Sequence, residues 1–215
     1  MRIPLWSPYA QGTVGWLKER CGCLTASRMA DAIAFLKGGK EAEARRKYKI
    51  ELIAERMTDV MVSRFVNDAM QWGIETEPAA RARYEEITGE LVTLCGFAIH
   101  GAIPYFGASP DGLVGEDGLI EIKCPTTTTY TEWMIGGVVP EQHKPQMLAQ
   151  LAVTGRKWCD FFAFDPRVKH EAHQHFLRRF EPSEEDIAAT EEAARKFLAE
   201  VDALFDVVIS QEVGI

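Results

Sequence analysis

The chain has 215 residues, 47% of them hydrophobic and 26% charged, a balance that excludes a mainly disordered chain and suits one large domain. Its net charge is −8 and its pI about 5.2, which excludes a generally basic coat for nucleic acid. The excess is local: residues 181–215 hold ten acidic and two basic side chains, so the preceding 180 residues net to zero. The imbalance therefore says little about what the body of the protein binds.

Residues 1–11 contain Arg2, Pro4 and Pro8 and lack the apolar run of a signal peptide. No stretch approaches the ~20 apolar residues of a membrane span. Five cysteines, an odd number, favour reduced thiols and a cytoplasmic setting. Cys21 and Cys23 are too close for a CxxC zinc half-site, and no second half-site follows.

Residues 15–20 read as a short helix, and Thr25 and Ser27 offer capping hydroxyls ahead of another. Residues 37–40 form a loop. Residues 41–59 predict a helix with Tyr48, Ile50, Leu52, Ile53 and Met57 as its apolar stripe. Residues 68–88 predict a further helix, interrupted or started near Gly73 and Pro78 and closed by Gly89. β-type runs follow at 91–100 and 103–108, and the Asp117-Gly118 step between apolar runs signals a hairpin. Residues 141–154 return to helix, and residues 158–164 and 170–180 read as strands around the turn Asp165-Pro166-Arg167. A long acidic helix follows at 183–205, with Ser183 and Asp186 at capping-box spacing. No repeat or linker interrupts this order. It predicts a single α/β domain with a central mixed sheet, not alternating βαβ units.

The most informative stretch is Ser109-Pro110-Asp111-Gly112, followed by Glu121-Ile122-Lys123. Alternation along a strand puts Glu121 and Lys123 on one face and Ile122 on the other. The intervening hairpin can bring Asp111 beside Glu121. Two carboxylates and an ammonium then converge on a point, which suits a hard divalent cation such as Mg²⁺ and phosphodiester hydrolysis. Taken alone, Asp111-Gly112 could be a simple turn, and Glu-x-Lys is often a solvated pair. Here the charges interrupt an apolar strand, where burial without purpose would be costly.

The pattern P-D-x(9)-E-x-K is the signature of the PD-(D/E)xK nuclease superfamily. More closely, the chain resembles the lambda exonuclease family, also called YqaJ-like viral recombinases or phage alkaline exonucleases. The landmarks are Arg20 with Leu24-Thr25-Ala26-Ser27, Trp72-Gly73 with Glu77 and Arg81, Gly107 to Leu113, Leu119 to Pro125, and Gln146 to Gly155. The resemblance implies a restriction-endonuclease-like central mixed β-sheet flanked by helices. It implies a processive 5′→3′ exonuclease on linear double-stranded DNA, with Mg²⁺ (or Mn²⁺ in its place) held by Asp111, Glu121 and the Ile122 carbonyl. Lys123 would assist the attacking water, and Glu77 would add a carboxylate near the metals. Arg20, Ser27 and Ser109 match a pocket for the 5′-terminal phosphate, to which Gln146 and Gln150 are added as candidates. Met70 or Trp72 would be a wedge that splays the terminal base pairs. A homotrimeric ring and a single-strand annealing recombination protein as partner are also implied. Two rivals remain: an endonuclease of the same superfamily, and a non-catalytic DNA-binding subunit.

Lys37, Lys40, Arg45, Arg46, Lys47 and Lys49 form a basic segment suited to sliding contacts with the phosphate backbone. The acidic C-terminal helix would repel DNA and is expected outside its path or at a subunit or partner surface. His170, His173 and His175 are not read as a metal cluster, since only His173 and His175 would share a strand face. Cys124 is expected to be buried, on the side opposite Glu121 and Lys123.

Overall fold

The computed structural model describes residues 3–62 and 68–211. In chain order these form β1 (Leu5–Trp6), α1 (Val14–Arg20), β2 (Leu24–Thr25), α2 (Met29–Ala32), α3 (Glu43–Thr58) and α4 (Asp68–Thr88). Then come β3 (Val92–Thr93), β4 (Ala98–Ile99), β5 (Phe106–Ala108), β6 (Gly112–Val114), β7 (Gly118–Lys123) and α5 (Thr127–Gly136). The chain closes with α6 (Lys144–Thr154), β8 (Trp158–Phe164), β9 (His175–Phe180) and α7 (Glu184–Ile209).

The expected mixed sheet flanked by helices is present. It has five strands in the order β3-β6-β7-β8-β9, with β7 and β8 parallel and the β6–β7 hairpin closing Val114 against Gly118. A parallel pair needs a crossover, and α5 and α6 supply it. A second, four-stranded sheet runs β1-β4-β5-β2. The run at 91–100 therefore divides: β3 joins β6, whereas β4 joins β5. Between them Gly96 passes close to the N-terminal segment, where a Cβ would stand 2.4 Å from the Tyr9 carbonyl oxygen.

Alternation on β7 and β8 sorts the core. Ile120, Ile122, Phe162 and Phe164 pack with Ala80 and Tyr84 of α4. Leu119, Phe161 and Ala163 face the other way, onto Tyr130 of α5 and Met147 and Leu151 of α6. A third cluster joins Tyr48 and Leu52 of α3, Val153 of α6, and Phe197 and Val201 of α7. Each such large side chain contributes about 1.5–3 kcal/mol on full burial.

Three local features differ from the sequence reading. α5 was not expected, because it opens on a run of β-branched threonines. Its Thr126 hydroxyl caps the Thr129 N–H, and burial of Tyr130, whose hydroxyl donates to the His173 carbonyl at 2.7 Å, outweighs the poor propensity. α4 is continuous, with Pro78 inside it. β9 begins only at His175, because residues Glu171–His173 form a 3₁₀ turn, so His173 and His175 do not share a strand face. The capping box of α7 forms as expected.

Candidate active site

β7 places Glu121 on the face toward α6 and Ile122 on the face toward α4, as its alternation requires. Asp111 lies just before β6, and its Oδ2 accepts from the Ile122 N–H at 2.6 Å. The carboxyl of Glu121, 1% exposed, accepts from Lys123 Nζ, from Gln146 Nε2 at 2.7 Å and from Gln150 Nε2 at 2.5 Å. Both glutamines, expected at the 5′-phosphate, donate to Glu121, and Gln146 lines the cleft as well. They sit one turn apart on the face of α6 that lies against β7, so both reach the same side chain.

Burial, and then the charge of Glu121, push the Asp111 carboxyl well above the usual carboxylate range, against the pull of Lys123 and the Ile122 N–H. Burial works against the Lys123 ammonium, but Glu121 and Asp111 outweigh it and raise its pKa above the ordinary value. Two carboxylates, one of which already favours its proton, mark a place short of positive charge. A hard divalent cation relieves that shortage. Among the described residues no group of three or more His, Cys, Asp and Glu side chains forms a metal cage. The two carboxylates, of Asp111 and Glu121, line an open cleft together with Ile122. That set fits Mg²⁺, which keeps several of its waters, better than it fits a closed structural site.

The cleft has a volume of about 470 Å³ and also receives Arg20, Ser27, Ser109, Glu77, Met70, Cys124 and Trp133. Ser109 Oγ accepts from Arg20 Nη1 at 3.0 Å and from Trp16 Nε1 at 2.9 Å. With both lone pairs used, its own proton is left to donate elsewhere. The Arg20 guanidinium lies over the Trp16 ring, 4.2 Å from its centroid, and its buried Nε has no acceptor. Spare donors on a guanidinium beside a hydroxyl are chemically suited to receive an anion. Ser27 is exposed at its edge and reaches Thr25 Oγ1 at 3.3 Å.

Glu77 lines the cleft, but its Oε1 accepts from Arg81 Nη2 at 2.5 Å, one turn along α4. Of the two wedge candidates, Met70 lines the cleft and is 49% exposed. Trp72 instead packs under the Arg167 guanidinium. Cys124 is half-buried at the cleft rather than fully buried. Burial, then the charges of Glu77 and Asp111, push its thiol up to about 12, which removes it as a nucleophile. All five cysteines are free.

The basic segment is not a uniform DNA-facing surface. Arg45 and Lys49 are buried, and both are bound to α7. Arg45 forks onto Glu200 at 2.7 and 2.8 Å, and Lys49 reaches Glu200 at 2.9 Å and Glu41 at 2.6 Å. These two are corrected from DNA contacts to struts between α3 and α7. Their helical phase turns them toward Tyr48 and Leu52, which face the core. Lys37, Lys40, Arg46 and Lys47 are exposed, although Lys47 pairs with Glu43.

A family model for the YqaJ-like viral recombinase domain matches residues 15–157, the stretch that carries Arg20, Ser109 and the carboxylate pair. The chain belongs to that family. Two solved structures of LHK-Exo, described as an alkaline exonuclease from Laribacter hongkongensis, one of them in complex with dAMP, are each 44% identical to it. Each match covers 91% of this chain and 96% of the other, with a TM-score of 0.84. A phage-related exonuclease from Haemophilus somnus 129PT, at 13% identity, shares the fold with a TM-score of 0.61 over 87% of this chain and 95% of that one. A comparison with curated proteins returns no match. No helix among the described residues is long and apolar enough to cross a membrane.

Trp16 and Gln11 are among the cleft residues that escaped the sequence reading of this YqaJ-like chain. Trp16 lies one helical turn before Arg20, a pairing the i, i+4 spacing could have suggested. Gln11 donates to the Pro110 carbonyl at 2.8 Å and steadies the turn before Asp111. No sequence signal links positions so far apart.

Proposed function

We propose that this protein is a Mg²⁺-dependent exonuclease that degrades one strand of linear double-stranded DNA from its 5′ end. Nucleoside 5′-monophosphates are released and a 3′ single-stranded tail remains. The observation that carries this reading is the meeting, in one cleft, of the Asp111–Glu121–Lys123 cluster with the Arg20–Ser109 anion pocket.

Asp111, Glu121 and the Ile122 carbonyl would hold the cation, and Mn²⁺ could replace it. When bound, the cation supplies Lewis-acid activation of the phosphodiester and of water. Gln146 and Gln150 fix the plane of Glu121 by donating to both of its oxygens. Lys123 projects its ammonium to the same point, where it orients the attacking water and faces charge developing on the phosphoryl oxygens. Arg20 and Ser109 grip the terminal phosphate and so set which bond lies at the carboxylates. Exposed Met70 suits the part of a wedge against the last base pairs.

A homotrimeric ring around the duplex would make degradation processive. The tail would then pass to a single-strand annealing protein for recombination, in the cytoplasm of a bacterial host carrying the phage or prophage. A linear duplex labelled at either end tests the reading, with and without Mg²⁺. Label should leave the 5′ end first, and Lys123→Ala should abolish release. Equal release from both ends of a strand, or cutting of closed circular DNA, would replace it with the endonuclease reading. No metal-dependent cleavage of either would leave a DNA-binding subunit.

A further inference from the structure

The first half of α4 forms a wall of the cleft, through Ala69, Met70, Gly73, Ile74 and Glu77, yet little of it is buried. Residues 68–71 and 74–75 are exposed, and the first buried side chain of the helix is Thr76. Pro78 then interrupts the hydrogen-bond ladder, because it has no N–H for the carbonyl one turn earlier. Beyond it, Ala80 and Tyr84 are fully buried against the central sheet. The helix thus has an anchored second half and a projecting first half, joined where the backbone is weakest.

One tie from the projecting half to the rest of the protein runs through Trp72. The Arg167 guanidinium lies over its ring, 4.4 Å from the centroid. The indole N–H is buried without an acceptor, so the attachment is through the ring face. Arg167 is itself held rigidly. Its Nε and Nη2 fork onto Asp165 at 2.7 and 3.1 Å, and Nη2 also donates to the Pro125 carbonyl at 2.9 Å. Asp165 is wholly buried and accepts from Thr127 Oγ1 at 2.6 Å. A single guanidinium therefore ties the turn after β8, the loop after β7 and, through Asp165, the start of α5, and presents a fixed flat face to α4.

We propose that Arg167 is a positioning residue: by stacking on Trp72 it holds the first half of α4 in place as a wall of the active-site cleft. A wall that is in place only part of the time lowers the apparent affinity for substrate by that fraction. The reading of substrate as duplex DNA rests on the function proposed above. The mechanical tie does not.

The test uses amide hydrogen exchange on the full-length protein without DNA, together with KM and kcat on linear duplex. Arg167→Lys keeps a charge for Asp165 but has no planar face to stack. Trp72→Phe keeps a ring, and Trp72→Leu removes it. Arg167→Lys and Trp72→Leu should each speed exchange across residues 68–77 by about threefold to tenfold, the range a partly exposed cation–π contact is worth. Residues 79–88 should be unchanged, and Trp72→Phe should keep most of the protection. The Arg167→Lys/Trp72→Leu double variant should be no worse than the worse single one. In Arg167→Lys the duplex KM should rise, by no more than that factor, while kcat stays within about twofold. Native exchange at 68–77 in Arg167→Lys, or additive effects in the double variant, would overturn the proposal. If the unaltered protein digests no DNA, the functional reading falls and the exchange data still decide the tie.

Discussion

Glu121 is a buried carboxylate whose two oxygens are met by one ammonium and two amides. A buried acceptor is costly when a partner is removed, because the whole desolvation penalty returns. Gln150, fully buried, should therefore matter more to folding than half-buried Gln146. Gln150→Met is expected to cost about 1–3 kcal/mol in urea unfolding, and Gln146→Met less. An unchanged midpoint in the first variant would show that Glu121 does not depend on that amide. The anion pocket makes a different prediction. If Arg20 grips a terminal phosphate, Arg20→Ala should raise KM on 5′-phosphorylated duplex by about tenfold to a hundredfold, the worth of one or two charge-assisted hydrogen bonds. It should change KM little on a 5′-hydroxyl duplex. Equal losses on both substrates would place Arg20 in structural support.

At the scale of elements, the decisive contact joins α3 to α7. Hydrogen bonds from Arg45 and then Lys49 hold the Glu200 carboxyl down to about 2, below its ordinary value of 4.5. A depressed carboxylate stabilises the fold fully above its unfolded pKa, and that contribution fades as pH falls toward the folded value. Docking of α7 should therefore weaken between about pH 5 and pH 2. Over that range the melting temperature should fall more steeply in the unaltered protein than in Glu200→Gln, which has nothing there to titrate. Parallel curves would remove the ion pairs as the cause. α5 makes a related point about elements. Its threonines argue locally against a helix, and the Thr126 cap with the packing of Tyr130, Trp133 and Met134 makes the helix the better solution.

For the whole molecule, the net charge now has a structural explanation. Part of the acidic excess of α7 is spent inside the protein, on Arg45, Lys49 and Arg56. Two of the basic side chains that sequence alone offers to DNA are consumed in the same pairs. Exposed Lys37, Lys40 and Arg46 remain available. Neutralising each should flatten the salt dependence of DNA affinity by about one unit of slope while leaving stability near native. Arg45→Ala or Lys49→Ala should lower stability, with a slope no flatter than that of the unaltered protein. Filter binding across a salt series separates the two classes, and a reversed pattern would restore Arg45 and Lys49 as DNA contacts.

The sequence by itself determined the carboxylate pair. Asp111, Glu121 and Lys123 lie within one hairpin, where strand alternation and a tight turn fix geometry over a dozen residues. The capping box of α7 was legible for the same reason, and the α3 stripe only in part: Tyr48, Leu52 and Ile53 are buried, whereas Ile50 and Met57, expected with them, are exposed and give way to Arg45 and Lys49. The tertiary structure decided what depends on partners distant in the chain. It turned Gln146 and Gln150 onto Glu121, set Trp16 and Arg20 against Ser109, split one β-type run between two sheets, and buried Arg45 and Lys49 against a helix about 150 residues away. Charge and propensity are properties of a residue, but burial and pairing are properties of what packs against it.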